Sequence, residues 1–462
     1  MLSEIVLYLN PTLEIYSLKE ADSDVSYHRD LQVIILERQL LPDDSISLHI
    51  SYKGKIDEAI CYLDVPFEER HNVGRYDPGM RRGLFNFGTR FAYLEENYTL
   101  LHPEVLWYPV AVPPVNMVSP YAREINFTEY TLRVKTWEGQ QVLSQGVPEY
   151  GTGEVSFKNR QKLSGITLCI GDYHKKEIEF GGLQLEFYYF PGHELFFEGY
   201  TEIQGEKLSK VLTMLKGRLE ARIGRSYPFQ KLMLVESPLS FVSFLRKWKT
   251  GSEFVQPEFV FFNERVATIS SYVPMTIAKK LAKERQEGLD DPEGIYSVER
   301  MGLQSNSMQI QKKLHDILPM YYDYTGFLSS GTYPAANMLL SKMFTSKKKY
   351  TIGNAGLRPE DMLAIDCLQQ SSLRGVLSND SLPDKVQARI FELEAGALGA
   401  YLSVFVAPEK LYQFSEKVSS GAQFEEITLE QLALNFQNEL GVDLLPFMDK
   451  IYQREGLPVF DI

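Results

Sequence analysis

The chain has 462 residues, 44% of them apolar, 24% charged and 12% aromatic, which is enough for two to four domains that each bury a core. This composition excludes a disordered chain, and a net charge of −13 makes phosphate neutralisation a poor overall mode of binding, a local basic patch aside, so no nucleic acid is expected as a partner. The longest apolar stretch, residues 395–407, is about 13 residues long and carries Gly396 and Gly399, against the ~20 residues a membrane-spanning helix needs. Glu4, Asn10 and Pro11 interrupt any leader-like apolar run. Cys61, Cys169 and Cys367 lie far apart with no Cys-x-x-Cys pair, which excludes a zinc knuckle or a disulfide scaffold.

The first 190 residues read as antiparallel sheet. Residues 46–52 and 130–136 alternate apolar and polar side chains, as do 166–170, the pattern of strands with one face on a core and one in water. Leu183, Leu185, Phe187 and Tyr189 form one face of a further strand, with Gln184, Glu186 and Tyr188 opposite. Residues 31–36 are a more continuous apolar run suited to a strand covered on both faces. Turn signals at 41–44, 53–54, 138–139 and 181–182 separate these runs.

Near residue 200 the period changes. Leu208, Val211, Leu212, Leu215, Leu219 and Ile223 recur at helical spacing, and Gly224 stands where a left-handed cap would end that helix. Residues 231–235 and 257–262 are short strand candidates, so this part reads as α/β. Residues 276–313 are strongly polar, a solvated helix followed by a loop. The remainder reads as helical, with Thr428-Leu-Glu-Gln431 in capping-box form, Gly441 as its terminator and Asp443 as the cap of a last helix.

Histidine spacing decides the zinc chemistry. A hydrolytic zinc helix carries His at i and i+4, because those positions share a face, and a Glu beside them activates the bound water. The seven histidines are His28, His49, His71, His102, His174, His193 and His315, and no two are four apart. His193-Glu-Leu-Phe-Phe-Glu198 begins in the required way, then places Phe197 where the second imidazole belongs. His49 is expected on a polar strand face and His315 on a helix surface. A Gly-x-Ser-x-Gly elbow, a phosphate-binding loop and a dinucleotide fingerprint are all absent.

Several stretches in chain order resemble the aminopeptidase N family of gluzincin metallopeptidases. Leu101-His-Pro-Glu-Val-Leu-Trp-Tyr-Pro109, Phe127-Thr-Glu-Tyr-Thr-Leu-Arg-Val134 and Leu163-Ser-Gly-Ile-Thr-Leu-Cys-Ile-Gly-Asp-Tyr173 are similar to its N-terminal β domain. Gly224-Arg-Ser-Tyr-Pro-Phe229 and Lys231-Leu-Met-Leu-Val-Glu236 are similar to its entry into the peptidase domain. Ser330-Gly-Thr-Tyr-Pro-Ala-Ala-Asn-Met-Leu-Leu340 resembles the helix bearing its transition-state tyrosine, which makes Tyr333 the counterpart. The family's substrate-amine motif becomes Val255-Gln-Pro-Glu-Phe-Val-Phe261, with Glu258 as its remnant, and the zinc helices give way to the histidine-free stretch 276–313.

The resemblance implies an α+β multidomain chain. Residues 1–198 are expected as an antiparallel β-sandwich or saddle domain, 199–350 as a degenerate thermolysin-like α/β domain, and 351–462 as a helical part. Without paired imidazoles there is no Lewis acid to lower a water pKa, so neither a metal nor another cofactor is expected, and no catalytic residue is assigned. Glu258 and Tyr333 are candidates to line a residual groove that takes a peptide or protein.

Gln256-Pro-Glu-Phe-Val-Phe-Phe-Asn-Glu264 and Leu318-Pro-Met-Tyr-Tyr-Asp-Tyr-Thr-Gly-Phe-Leu-Ser-Ser330 resemble a group of Bacteroidetes membrane proteins that join ABC-transporter permease helices to an aminopeptidase-like domain. That resemblance implies an excised soluble domain on the periplasmic face, attached to the membrane by segments outside these residues. It acts there in binding or as a spacer. The alternative is an active zinc aminopeptidase with unusual ligands drawn from His193, Glu194, Glu198 or His315.

Overall fold

The structure, a computed structural model, describes residues 3–41, 44–61, 90–112, 127–136, 139–193, 209, 213–214, 216–217, 220–221, 226–241, 255–264, 326–330, 332–345, 359–379, 382–421 and 424–456. It is a mixed α/β chain with several antiparallel sheets and helices towards its C-terminus. The described residues fall into two compact units, one from Ser3 to Glu264 (Phe127 apart) and the other from Gly326 to Gly456.

In the first unit, β1 (Ile5–Tyr8), β2 (Leu13–Glu20), β3 (Ser23–Asp24), β4 (His28–Asp30), β5 (Val33–Leu36) and β6 (Leu48–Gly54) make two antiparallel sheets, ordered β1-β5-β4 and β3-β2-β6. The alternation read at 46–52 belongs to β6, whose Leu48 and Ile50 pack on a core of Leu9, Leu13, Leu18, Ile34 and Leu36 while His49 is exposed. Leu31, expected to begin a strand, lies in the turn before β5 at φ 49° and is 70% exposed. The chain must reverse there, so pairing starts only at Val33.

Next come β7 (Tyr93–Leu94), β8 (Thr99–Leu101), β9 (Thr131–Val134), β10 (Gln141–Ser144), β11 (Val147–Gly151), β12 (Glu154–Lys158) and β13 (Leu168–Gly171). They pair antiparallel as β10-β13-β8-β7 and β11-β12-β9.

A five-stranded mixed sheet completes the unit. Its strands are β14 (His174–Phe180), β15 (Leu183–Tyr189), β16 (Lys231–Ser237), β17 (Val255–Gln256) and β18 (Phe259–Asn263), in the order β14-β15-β16-β18-β17. β15, β16 and β18 run parallel and the two edges antiparallel. Gly181 and Gly182, at φ 53° and 73°, turn the β14–β15 hairpin, which needs two successive residues of positive φ.

The alternation expected of β15 breaks on one face, where Glu186 and Tyr188 are only 8% and 6% exposed. An inner strand with a parallel neighbour is covered on both sides. The Lys175 ammonium, 2.8 Å from one Glu186 oxygen, and the Tyr188 hydroxyl, which donates to the other at 3.1 Å, offset the burial of that charge. Of the helix read from the spacing of Leu208 to Ile223, the described Ser209, Thr213, Met214, Lys216, Gly217, Glu220 and Ala221 are helical, with Lys216 and Glu220 paired at 2.8 Å one turn apart. Its apolar positions and Gly224 lie outside the described residues, as does the polar stretch 276–313.

The second unit pairs β19 (Gly326–Ser329) with β20 (Glu425–Thr428) in parallel and adds α1 (Ala336–Thr345), α2 (Pro359–Gln370), α3 (Leu373–Leu377), α4 (Asp384–Ser403), α5 (Pro408–Gly421), α6 (Leu429–Leu440) and α7 (Leu445–Gln453). Its core includes Leu339, Ile390, Phe391, Leu398, Phe436 and Met448, all fully buried. Burying each such side chain stabilises the fold by about 1.5–3 kcal/mol before entropy is counted.

Thr428 caps α6 as expected, its hydroxyl accepting the Gln431 N–H at 3.2 Å, and Gly441 ends the helix at φ 74°. Asp443 accepts the Leu445 N–H at 3.1 Å, one residue ahead of the geometric cap Leu444. Among the described residues no single helix is long and apolar enough to cross a membrane, and the apolar run 395–407 bends by 116° between α4 and α5.

Candidate functional site

Glu258 occupies a turn that ordinarily calls for glycine. Val255 pairs with Val260 and Gln256 with Phe259, leaving Pro257 and Glu258 to join β17 to β18. Proline suits the first position because its ring presets φ. Glu258 takes the second at φ 61°, a left-handed conformation that costs a residue with a Cβ about 1 kcal/mol or more. Its side chain folds inward, the residue is 6% exposed, and one carboxylate oxygen accepts the Gly146 N–H at 2.6 Å.

Burial pushes the Glu258 carboxyl above its ordinary range, opposed by the charge of Lys231 and by the Gly146 N–H. Burial likewise pulls the Lys231 ammonium down, opposed by Glu258 and Glu186, while its Nζ donates to the carbonyls of Gly146 and Ser144. Beside Gly146, the Gln145 side-chain oxygen accepts the Thr167 N–H at 2.9 Å. Gln145 Nε2 and Thr167 Oγ1 are buried without a hydrogen-bond partner among the described residues.

Tyr333 belongs to the second unit. It sits in the turn before α1, its carbonyl accepting the Ala336 N–H at 3.1 Å, and not on the helix itself. Its ring is buried edge-on against Tyr452 at 5.3 Å, and its hydroxyl donates to Asp449 of α7 at 2.8 Å. Burial, then the hydrogen bond and negative charge of Asp449, push the phenol up to about 12. A phenol whose proton is held by a carboxylate has no second proton with which to stabilise a developing oxyanion.

The clearest charged constellation in the first unit is one that sequence reasoning missed. β15, β16 and β18 are adjacent and parallel, and His193, Glu236 and Glu264 stand at their carboxyl ends, the edge at which open α/β sheets bind ligands. His193 Nδ1 lies 2.7 Å from one Glu236 oxygen, and Nε2 lies 4.0 Å from a Glu264 oxygen. The Glu236 side chain is fully buried, which raises its carboxyl. The Phe190 N–H and His193 pull the other way, and Glu264 adds to the rise. The sequence signals were His193, opening its incomplete zinc motif, and a carboxylate ending the run 231–236; nothing in the sequence showed that the two meet.

Among the described residues no three His, Cys, Asp or Glu side chains gather as a metal site. Glu194, Glu198 and His315 lie outside those residues.

No protein family profile matches the chain, and no curated protein matches it. Among solved structures, the chain is similar to the M1 zinc metallopeptidase of Deinococcus radiodurans, at 13% identity and a TM-score of 0.45, over 99% of this chain and 88% of that one. A mutant of that enzyme bound to a Tyr-Ser-Ala substrate gives 13% identity and a TM-score of 0.47 over the same shares. Legionella pneumophila aminopeptidase A in complex with aspartic acid gives 12% identity and a TM-score of 0.48, over 98% of this chain and 46% of that one. At such identities, and with TM-scores below 0.5, these likenesses assign this chain neither a family nor a reaction.

Proposed function

We propose that this chain is a non-catalytic, aminopeptidase-like domain that binds a peptide or protein. In this reading it lies on the periplasmic face of a Bacteroidetes ABC-transporter-permease-like protein, anchored through segments outside these residues. Its parts are a β domain over 1–198, a degenerate thermolysin-like α/β domain over 199–350 and a helical part over 351–462.

The observation that carries the reading is the histidine arithmetic: no two of the seven histidines share a helical turn, and none occurs between His193 and His315. A zinc-bound water needs converging imidazoles or carboxylates to lower its pKa. The engagement of Glu258 with Gly146 and of Tyr333 with Asp449 supports it, since both polar groups already serve the fold.

The test is metal analysis of the purified protein together with an aminoacyl-amide release assay. Sub-stoichiometric zinc and no turnover are expected. Stoichiometric zinc with turnover abolished by Tyr333→Phe overturns the proposal. Loss of that metal in His193→Ala or His315→Ala would then name the unusual ligands of an active aminopeptidase.

A further inference from the structure

The chain leaves β15 through the turn Phe190-Pro-Gly-His193. Pro191 presets the first corner, Gly192 takes φ 87° at the second, and the His193 N–H donates to the Phe190 carbonyl at 3.1 Å to close it. Both ends of this turn return to a single side chain. One Glu236 oxygen accepts the Phe190 N–H at 2.7 Å, and the other meets His193 Nδ1 at 2.7 Å.

The Glu236 side chain is fully buried, so water does not compete for either bond. The groups facing it are His193 from the end of β15, Glu264 from the end of β18, and the Tyr173 phenol, which donates to the Glu236 backbone carbonyl at 3.1 Å. Glu264 also accepts the Leu239 N–H at 3.1 Å.

We infer that Glu236 is an acid-sensitive clasp: as a carboxylate it fastens the turn 190–193 to the end of β16, and on taking up a proton it lets that turn loosen. The carboxylate offers two charged acceptors to two donors, and bonds to a charged acceptor are roughly twice as strong as neutral ones. On protonation both contacts lose that charge: the carbonyl oxygen still accepts the Phe190 N–H, while the hydroxyl meets Nδ1 only as a neutral group. Burial moves this exchange above the ordinary carboxylate range.

Hydrogen exchange read by mass spectrometry on the whole protein, corrected for the intrinsic pH dependence of exchange, tests the clasp. Between pH 7.5 and pH 5, protection of the peptide spanning 190–193 should fall by about tenfold or more relative to that of 231–235. Glu236→Gln, which accepts but does not titrate there, should abolish the step.

Because a buried amide can prevent folding, His193→Gln provides a second arm. His193 favours the carboxylate, so its loss should move the step to higher pH. Wild-type protection without a step, a step that persists in Glu236→Gln, or a midpoint unmoved in His193→Gln overturns the inference.

Discussion

Arg454 donates through one guanidinium nitrogen to both carboxylate oxygens of Glu394, at 2.9 and 2.8 Å, tying the end of α7 to the middle of α4. Both side chains are nearly buried, at 13% and 3% exposure. Burial raises the Glu394 carboxyl even though Arg454 pulls it down, so desolvation outweighs the partner.

A buried ion pair of this kind adds little net stability, yet breaking it strands a charge. Glu394→Ala should therefore destabilise the second unit by about 3–5 kcal/mol. Replacing both partners by Leu and Met should cost less than the single change, because no charge is left inside. Urea unfolding of the three proteins measures the ordering.

Tyr333→Phe removes one hydrogen bond to Asp449, a residue only partly buried, so water can take the place of the hydroxyl. A loss of about 0.5–1.5 kcal/mol is expected, with the Tyr452 hydroxyl still donating to the Pro334 carbonyl. A thermal scan of both proteins reads this, and a much larger loss would mean that the phenol organises more of the α1–α7 contact than its one bond.

The ends of α6 make a matched pair of tests. Thr428→Ala deletes the acceptor for the Gln431 N–H and should cost about 1 kcal/mol. Gly441→Ala forces a Cβ into φ 74°, with no neighbouring atom within 4 Å to obstruct it, so about 1 kcal/mol of backbone strain is the whole expected effect. Denaturant midpoints check both.

Glu258 gives a pH prediction. Its carboxyl is raised in the folded state, so its stabilising contribution is complete below the unfolded carboxylate pKa and is lost as pH rises through the folded value. Glu258→Gln has no such loss. The variant should gain on the wild type as pH rises out of the carboxylate range, whatever the offset between them at acid pH. Urea midpoints at pH 4.5, 6 and 7.5 measure the trend, and a gap that narrows in the wild type's favour would show that the Lys231 charge dominates the site.

Local rules made much of the secondary structure legible. The alternation of β6, the two glycines between β14 and β15, and the Thr428 and Gly441 boundaries of α6 each depend on residues a few positions apart. The candidate site was less legible, because what a side chain does depends on what lies across from it. Glu258 was singled out by the family resemblance of residues 255–261, but the sequence held no sign that it turns inward to Gly146, 112 positions away. Tyr333 was visible, while its partner Asp449 stood 116 positions off.

The chain's own letters determined its period, its turns and caps, and the want of paired imidazoles, since these are properties of neighbours along a backbone. Tertiary structure alone decided that Glu186 and Tyr188 are covered on the face expected to be open, that His193 meets Glu236, and that the Tyr333 proton is committed to a carboxylate. The reason is physical. Burial and charge pairing act through space at a few ångströms, and sequence patterns report only which residues are bonded in line.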